Sequence, residues 1–570
     1  MVVSDDVLLA NLTEPQREAV RHVDGPMLVL AGPGSGKTTV VTRRVGQLIA
    51  LGIPPWQILA LTFTNKAAGE MRQRIEPMLP DGLPGRRGLT VATFHAFCVR
   101  LLRRYADEAG ISPRFSIYDQ ADQRDAIKRA LGEANLSAKN WTPASVGAVI
   151  SHAKNRLQEA DAYAGASDFY TRCIAKVYRA YEKILAANDA LDFDDLLLRV
   201  AKLLRAAEPV RRELQERYQY LLIDEYQDTN HAQFVIAHTL AAAHKNIFVV
   251  GDPDQSIYGW RGADITNILE FEEHYPKARV VPLGQNFRST GHIVEAAAGL
   301  IRHNRRRKHK NLHTELGPGE HPTVARCSDE HREATLVTDE LRRRHEEDGF
   351  AWKDMAVLYR INALSRVLEE AFRAAQIPYI IARGTAFYER KEVKDALAYL
   401  RVIANPRDDI SLRRIVNTPT RGIGKTTLDQ IEIFAIDRQL GLREALGRVD
   451  EVEGLSARSR TAVKRFAKTL GEWTAPIRVG GGEVGGMLGE LVERVVRESG
   501  LEAMYQRSKA EEDQERRENL GELISAAAEF VPPEPDRAAG ASDDPPDEPS
   551  LGAVLDAFLE SVALVSDADL

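Results

Sequence analysis

The chain has 570 residues, with 76 Lys and Arg against 83 Asp and Glu and a formal net charge of −7. At roughly 150 residues per domain, this length indicates about three or four domains. The 44% of hydrophobic and 28% of charged residues exclude a disordered or fibrous chain. No run approaches the roughly 20 apolar residues that span a bilayer, and the acidic start is unlike a signal peptide, so we expect a soluble cytoplasmic protein.

Apolar runs that alternate with helical stretches predict a parallel β-sheet in the first part of the chain. These runs are MLVLAG at 27–32, ILALTF at 58–63, YLLIDE at 220–225 and NIFVVGD at 246–252. The segment from about 108 to 190 has no convincing strand and is expected to be a helical insertion. Strand-like runs return at 354–361 and 377–384, which predicts a second α/β region, and the pattern from 388 to 530 is helical again.

Two segments of biased composition lie outside this pattern. The stretch 531–550 has six Pro and six acidic residues against one Arg, which is too little apolar surface to offset the entropy of ordering, so we expect a disordered acidic loop. The run 301–310 carries six Lys or Arg and no acid. Such a run is typical either of a solvated face or of a site for DNA phosphates.

A phosphate-binding loop is predicted at 31–38, AGPGSGKT, between an apolar run and a helical stretch. Its glycines let successive backbone N–H groups face phosphate oxygens, and the helix adds its positive end. Lys37 is then placed to reach the β and γ phosphates, and the Thr38 hydroxyl to ligate Mg²⁺. The residues assigned to the nucleotide are Ala31, Gly32, Pro33, Gly34, Ser35, Gly36, Lys37, Thr38 and Thr39. The similar GIGKT at 422–426 has no strand before it and is not expected to bind nucleotide.

A second strand end, in YLLIDEYQD at 220–228, carries adjacent carboxylates. Ligands of parallel α/β sheets bind at the carboxyl ends of the strands, so these acids are expected to face the nucleotide. Asp224 suits Mg²⁺, and Glu225 suits the acceptance of a proton from an attacking water.

A third strand end, in GDPDQSIYGWRGAD at 251–264, combines an amide with aromatic rings. Gln255 is placed to sense the γ-phosphate or to orient water. Tyr258 and Trp260 are suited to stack on nucleobases, each such contact being worth about 1–3 kcal/mol.

Together these motifs resemble, in order and over essentially the whole chain, those of superfamily 1A DNA helicases of the UvrD/PcrA/Rep type. Besides the three segments above, the matching ones are LTEPQREAV at 12–20, LTFTNKAAGEM at 61–71, TFHAFCVRLLRR at 93–104, LDFDDLLL at 191–198, QNFRS at 285–289, FYERKEVKD at 387–395 and TPTRGIG at 418–424. The resemblance implies an ATP- and Mg²⁺-dependent enzyme of repair or replication that moves 3′ to 5′ on single-stranded DNA and unwinds duplex. It also implies binding to single-strand/duplex junctions, possible contacts with repair proteins, no membrane, and a monomer or weak dimer.

The resemblance assigns roles to individual residues. Gln16 is implied to read the adenine edge, Phe287 to stack near the adenine and Arg288 to approach the γ-phosphate. The implied catalytic residues are Lys37, Glu225, Gln255 and Arg288. The residues implied to contact DNA are Phe63, Thr64, Asn65, His95, Tyr258, Trp260, Arg261, Arg421, Gly422 and Gly424.

The resemblance also implies a P-loop NTPase (RecA-like) α/β fold with two inserted helical domains. Motor domain 1A is expected over 1–107 and 189–284, interrupted by helical domain 1B over 108–188. The first part of motor domain 2A is expected over 285–387, followed by helical domain 2B over 388–570. ATP is implied to bind between 1A and 2A.

At its end the sequence departs from the family pattern. Domain 2A of the family resumes after 2B with a VHxAKGLE-type motif V and an arginine-bearing motif VI, and neither is found before the final FLESVALVSDADL. We therefore expect a fragment or a truncated gene rather than a naturally short protein, and we expect this polypeptide alone to bind ATP weakly and to hydrolyse it poorly. The alternative is a non-motor protein whose DNA binding is modulated by ATP. A P-loop kinase for a small metabolite is disfavoured because such enzymes lack the aromatic residues and the inserted helical domains.

Overall fold

A computed structural model of the protein describes residues 5–79, 88–164, 168–381, 387–478, 487–506, 510–532 and 549–564. The acidic stretch at 531–550, expected to be disordered, lies almost entirely outside these residues. The strands of the described part are β1 (Met27–Ala31), β2 (Ile58–Thr62), β3 (Thr90–Thr93), β4 (Ser116–Tyr118), β5 (Ala190–Asp192), β6 (Tyr220–Ile223), β7 (Ile247–Gly251) and β8 (Arg279–Leu283).

The helices follow the strands in the expected alternation and then dominate the second half. As far as residue 206 they are α1 (Asp5–Leu9), α2 (Glu14–Arg21), α3 (Lys37–Ala50), α4 (Asn65–Ile75), α5 (Phe94–Arg104), α6 (Ala106–Ala109), α7 (Gln120–Glu133), α8 (Pro143–Asn155), α9 (Ala160–Ala164), α10 (Phe169–Ala187) and α11 (Phe193–Ala206). As far as residue 374 they are α12 (Glu208–Arg217), α13 (His231–Ala241), α14 (Thr266–Leu269), α15 (Phe271–His274), α16 (Gly291–Ile301), α17 (Glu330–Glu346) and α18 (Ser365–Ala374). The last are α19 (Lys391–Ala404), α20 (Asp409–Ile415), α21 (Lys425–Arg438), α22 (Leu442–Gly447), α23 (Ala457–Arg478), α24 (Met487–Ser499), α25 (Leu501–Gln506), α26 (Glu511–Ala528) and α27 (Leu551–Ala563). None of the helices in the described ranges is long and apolar enough to cross a bilayer.

A six-stranded sheet in the order β3-β2-β6-β7-β1-β8 forms the centre of the first half. All neighbouring strands are parallel, and Leu28 of β1 pairs with Val249 of β7 on one side and Val280 of β8 on the other. The predicted α/β class with a parallel sheet is therefore confirmed. Since the strands are parallel, their carboxyl ends share one edge, and the motifs that follow β1, β2, β3, β6 and β7 lie along it.

Helices cover both faces of this sheet, and every residue of β1 is buried. Met27 packs into an apolar cluster with α2, α3 and α4, whereas Leu28 packs on the opposite face with α5, α11 and α13. Arg44 of α3 is buried over the Phe248 ring and donates a hydrogen bond of 2.9 Å to the carbonyl of Val23. This bond fixes the end of α2 against the helix that follows the phosphate-binding loop.

Between β4 and β5 the chain forms the helices α7 to α10, in agreement with the predicted insertion. The prediction of no strand from 108 to 190 was wrong at both ends of that range. The three-residue strands β4 and β5 pair in parallel, with Ser116 opposite Ala190. Strands of three residues carry too few side chains to show an alternating pattern, so periodicity could not indicate them.

A buried ion cluster joins the insertion to α11. The side chain of Lys154, in the last turn of α8, is fully buried, and its Nζ lies 2.8 Å from Glu182 Oε1, 2.9 Å from Asp192 Oδ2 and 2.8 Å from Asp195 Oδ2. Burial alone lowers the pKa of Lys154, but these carboxylates raise it well above its ordinary value, so the amine stays charged. Asp192 is also the N-cap of α11, where its Oδ1 accepts the Asp195 N–H at 2.8 Å.

A second sheet, expected after residue 285, is not formed by the described residues. Both the run at 354–361 and the described part of the run at 377–384 lie without strand pairing. In the described residues after β8, the one β-type contact is an isolated bridge between Gln285 and His313. Leu358 is 91% exposed. A strand needs a neighbour for its backbone N–H and C=O groups, and no described segment supplies one here.

The helices α19 to α27 pack around Trp473, which is fully buried and donates its indole N–H to Glu498 Oε2 at 2.6 Å. This agrees with the helical pattern predicted from 388 to 530. A polar contact connects these helices to the insertion: Arg401 Nη1 of α19 lies 2.6 Å from Asp122 Oδ2 of α7. The insertion and the C-terminal helices are therefore in direct contact.

The ion cluster leads to a prediction about stability. We expect Lys154→Met to lower the free energy of unfolding by about 3–5 kcal/mol, because it leaves buried carboxylates without their cation. Urea unfolding followed by circular dichroism measures the change.

The matched control is Lys202→Met, since Lys202 forms a largely exposed pair with Glu159 at 2.9 Å. We expect it to change stability by about 0–1 kcal/mol. Equal effects of the two substitutions would contradict the importance of the buried cluster.

Candidate functional site

The phosphate-binding loop lies at the shared strand edge, directly after β1, and its backbone takes a conformation suited to glycine. φ is +66° at Gly34 and +82° at Gly36, in the left-handed region. A Cβ on Gly34 would lie 2.7 Å from Arg288 Cβ, and a Cβ on Gly36 would lie 2.8 Å from Gln16 Nε2. Gly36 is the N-cap of α3 and brings no side-chain cap, so the first N–H groups of this helix are suited to bind an anion.

The other residues predicted for the loop lie in the expected order around this position. Ala31 ends β1, and the Ser35 hydroxyl donates to the Gly32 carbonyl at 2.7 Å, which closes the loop on itself. Thr38 and Thr39 lie in the first turn of α3. The whole set is thus brought together.

Gln16 uses its amide to hold the loop. Its Oε1 accepts the Thr13 N–H at 2.9 Å as part of the cap of α2, and its Nε2 donates to the Ser35 carbonyl at 2.9 Å. The side chain is 4% exposed. Through these two bonds Gln16 connects α2 to the phosphate-binding loop. Its role in reading the adenine edge stays a prediction.

Lys37 connects two of the predicted catalytic residues. Its Nζ lies 3.1 Å from Glu225 Oε2 and donates to Gln255 Oε1 at 3.2 Å. Glu225 follows β6 with a φ of +51°, a left-handed conformation that is uncommon for a residue with a side chain. The lysine, the carboxylate and the amide are therefore in direct contact at the entrance to the phosphate position.

Thr38 and Asp224 place two oxygen donors side by side. The Thr38 side chain hydrogen-bonds to Asp224, and burial, followed by the charge of Glu225, raises the pKa of Asp224 to about 7. A divalent cation favours the charged form of such a carboxylate, and Mg²⁺ in phosphate sites uses one or two protein oxygens together with phosphate and water. The pair therefore fits a Mg²⁺ shared with a nucleotide.

The QNFRS segment packs against the loop through a residue that sequence reasoning did not select. Asn286 donates its side-chain N–H to the Pro33 carbonyl at 2.7 Å, and the Phe287 N–H donates to the Gly34 carbonyl at 2.8 Å. These bonds place Arg288, which is exposed and makes no ion pair with the described residues, beside Gly34. Sequence reasoning selected Arg288 for its charge and Phe287 for its ring. The side chain that bonds to the loop is instead the amide of Asn286.

Aromatic rings meet further along the same edge. Phe63, after β2, stacks on Tyr258, after β7, with ring centroids 4.8 Å apart and an interplanar angle of 28°. The Arg261 guanidinium lies over the Trp260 ring at 4.7 Å and near the Tyr258 ring at 5.5 Å. Trp260 is 75% exposed. Phe63 and Tyr258 therefore form a stacked pair, and Arg261 connects this pair to Trp260; these four residues are called the aromatic platform below.

This platform borders a cavity of about 510 Å³, whose other walls come from α7, α8 and α19. His95 lines it next to Phe193, with ring centroids 5.6 Å apart, and burial lowers the pKa of His95 to about 4. The imidazole is therefore neutral at pH 7 and suited to hydrogen bonding or stacking rather than to pairing with phosphate. Lys394 and Asp119, 3.1 Å apart, form an ion pair in the opposite wall.

Two other residues predicted to contact DNA have structural bonds at the rim of this cavity. The Thr64 hydroxyl accepts the Ala67 N–H at 3.0 Å and so caps α4. The Asn65 side chain donates to the Leu564 carbonyl at 2.6 Å. Contact of either side chain with DNA stays a prediction.

The turn with Arg421, Gly422 and Gly424 lies away from the sheet edge, before α21. Arg421 points inward: its guanidinium donates to the carbonyls of Ile415 at 2.7 Å and Ser499 at 3.2 Å and lies over the Phe466 ring at 4.7 Å. The geometry therefore argues against the predicted pairing of Arg421 with a phosphate, since these contacts already occupy the guanidinium. The backbone N–H groups of Gly422 and Gly424 are the part of the turn left for such a contact.

The basic run at 301–310 is partly used in ion pairs. Arg307 Nη2 lies 2.9 Å from Asp254 Oδ2, Lys308 pairs with Glu272, and Lys310 pairs with both Asp252 and Asp254. The phosphate-site interpretation is not favoured for these three cations, because each already faces a carboxylate.

Comparison with known proteins matches residues 12–276 to the UvrD/REP helicase N-terminal domain and residues 281–450 to the UvrD-like helicase C-terminal domain. Among curated relatives, the ATP-dependent DNA helicase PcrA of Bacillus subtilis (strain 168) is 42% identical over 564 residues, which cover 99% of this chain and 73% of that protein. The protein of the same name from Staphylococcus epidermidis (strain ATCC 35984) is 41% identical over 566 residues, or 99% of this chain and 74% of the relative. The one from Staphylococcus aureus (strain Mu50) is 40% identical, with the same two coverages.

The stacked rings lead to a prediction about DNA affinity. We expect Tyr258→Ala to weaken the binding of a labelled oligothymidylate by about 1–3 kcal/mol, because the substitution removes one ring of the platform. Fluorescence anisotropy at fixed salt measures the dissociation constant.

The control is Tyr170→Ala, which removes a half-exposed ring from α10 that stacks on Trp141, away from the platform. We expect this variant to bind like the unaltered protein. If Tyr258→Ala also binds like the unaltered protein, the platform does not hold bases.

Proposed function

The chain belongs to the UvrD/REP helicase family, and on this premise we propose that it is an ATP-dependent DNA helicase that moves along single-stranded DNA. One observation carries the proposal. The segment after β7 contacts the loop lysine through Gln255 and, three residues later, stacks Tyr258 on Phe63. A shift of Gln255 at the phosphates is thereby transmitted to the aromatic platform through a few residues of continuous chain.

The contacts of Lys37 support a hydrolytic role for this site. Lys37 exchanges its contact with Glu225 for phosphate oxygens when a nucleotide enters the loop. Glu225, released from its cation, is then able to accept a proton from the attacking water. Gln255 moves with Lys37, and Arg288, beside Gly34, supplies positive charge to the phosphates.

Thr38 and Asp224 are the residues that would hold Mg²⁺, which offsets the charge of the phosphates when bound. Phe287, about half exposed and close to the loop, is available for the adenine ring. The nucleotide then lies between the sheet edge and the segment that begins with QNFRS, in line with the proposed division into 1A (1–107 and 189–284) and the first part of 2A (285–387).

The same arrangement supports coupling to DNA. A base can enter between Phe63 and Tyr258 only if the two rings separate, and Tyr258 is the ring that is tied to Gln255. We carry the 3′ to 5′ direction over from the family resemblance, together with binding at single-strand/duplex junctions. The helical domains 1B (108–188) and 2B (388–570) would contact the duplex, 2B through the backbone of the turn at Gly422 and Gly424.

Strand displacement tests this function. We expect the protein with ATP to release the labelled strand from a duplex with a 3′ single-stranded tail, and not from one with a 5′ tail. The control variant, Lys37→Ala, loses a charge-assisted contact worth about 1.5–3 kcal/mol, so its affinity for a fluorescent ATP analogue falls roughly 10- to 100-fold and displacement stops.

ATP-dependent changes in DNA affinity without displacement would instead support the alternative, a non-motor DNA-binding protein. DNA-stimulated ATP hydrolysis by the same preparation measures the turnover that is proposed to drive displacement.

A second prediction separates binding from cleavage. We expect Glu225→Gln to bind ATP within about threefold of the unaltered protein and to cleave it about 10²- to 10⁴-fold more slowly, since the amide cannot accept the proton. Equilibrium binding and single-turnover hydrolysis give the two values. Unimpaired cleavage would remove Glu225 from the role of base.

A further inference from the structure

We propose that Lys310 is a positioning residue for ATP hydrolysis, which acts through Asp252 on both Gln255 and Glu225. This inference rests on the proposed function and adds a residue from the basic run that the nucleotide motifs do not include. Lys310 lies in the segment after α16, far along the chain from the strand end it contacts.

Asp252 is the centre of the arrangement. It follows β7 and is fully buried. Its backbone N–H donates to Gln227 Oε1 at 2.9 Å, and its Oδ2 accepts the side-chain N–H of Gln255 at 2.6 Å. Its Oδ1 accepts the Asp254 N–H at 3.0 Å and pairs with Lys310 Nζ.

These bonds determine which way two amide groups face. An amide side chain has an oxygen that only accepts and a nitrogen that only donates. Because the Gln227 oxygen is taken by the Asp252 N–H, its nitrogen faces Glu225 and donates to Oε2 at 2.9 Å. Because the Gln255 nitrogen is taken by Asp252, its oxygen faces Lys37. One aspartate therefore orients both the proposed base and the contact to the loop lysine.

Lys310 holds this aspartate in place. Its side chain is 2% exposed, and Nζ also lies 2.7 Å from Asp254 Oδ2, which in turn lies 2.9 Å from Arg307 Nη2. Asp252 forms no other ion pair with the described residues. A buried carboxylate that loses its cation is strongly destabilised and is driven to shift or to take up a proton, and either change releases Gln255.

The position of Lys310 depends on the segment that carries QNFRS. His313, three residues after Lys310, bonds to this segment twice. Its N–H donates to the Gly284 carbonyl at 3.0 Å, and its carbonyl accepts the Asn286 N–H at 2.7 Å. Asn286 in turn donates to the Pro33 carbonyl. Lys310 therefore moves with the segment proposed to begin domain 2A, and its pair with Asp252 spans the seam between that segment and the sheet.

The test separates nucleotide affinity from the rate of cleavage. We expect Lys310→Met to bind a fluorescent ATP analogue within about threefold of the unaltered protein and to cleave ATP at least tenfold more slowly in single-turnover reactions with enzyme in excess. Lys310→Arg keeps the cation and is expected to restore most of the rate. Lys308→Met, which removes a neighbouring cation paired with the half-exposed Glu272, is the matched control and is expected to cleave normally.

Each result decides between defined alternatives. Cleavage by Lys310→Met at the unaltered rate, or equal losses of affinity and rate, would overturn the positioning role. If Lys310→Met does not fold, Asp252→Asn provides the second variant, since Lys310 keeps its partner Asp254; a normal rate in that variant would also overturn the role. Absence of cleavage by the unaltered protein would refute the proposed function itself, and the role of Lys310 with it.

Discussion

The parallel pairing of six strands is the constraint on which the rest of the structure depends. It brings five carboxyl ends with chemically distinct segments to one edge: the loop after β1, the rings and caps after β2 and β3, the acids after β6, and the amide and rings after β7. No single segment could bind a nucleotide and a strand of bases. Because β1 lies between β7 and β8, the loop has the Gln255 segment on one side and the QNFRS segment on the other. The sheet thereby sets the distances between groups that are far apart in sequence.

Buried charge is used in two ways in this protein. Lys154, Asp192 and Asp195 are almost completely enclosed, so the exchange of partners there would leave a bare charge in a medium of low dielectric, and the cluster acts as a fixed joint. Lys37 and Glu225 have side chains that are 12% and 35% exposed, so a phosphate can compete for the lysine. The difference in exposure distinguishes an ion pair that holds the fold from the one that is proposed to open when a nucleotide binds.

The sequence was most informative where the chemistry requires one residue type at a strand end. The glycine pattern before Lys37 and the acids after YLLI predicted groups that the structure brings into contact. The sequence could not show that the side chains of Gln16 and Arg421 hydrogen-bond to nearby backbone groups, or that Lys310 pairs with Asp252. The choice of a hydrogen-bond partner depends on how the elements pack in three dimensions. The unpaired run at 354–361 shows the same limit in the backbone: an apolar pattern indicates a tendency to be buried, but a strand also needs a neighbour.

The left-handed backbone of Glu225 limits how this position can change. Glycine would adopt this conformation without strain, whereas a residue with a Cβ pays roughly 1–3 kcal/mol when the surrounding structure imposes it. The native glutamate is thus the more strained choice for the fold, although its carboxylate is the group proposed to accept the proton. A search for more heat-resistant variants would favour glycine here and remove the carboxylate proposed as the base, so thermal robustness and the proposed turnover place opposite demands on this one position.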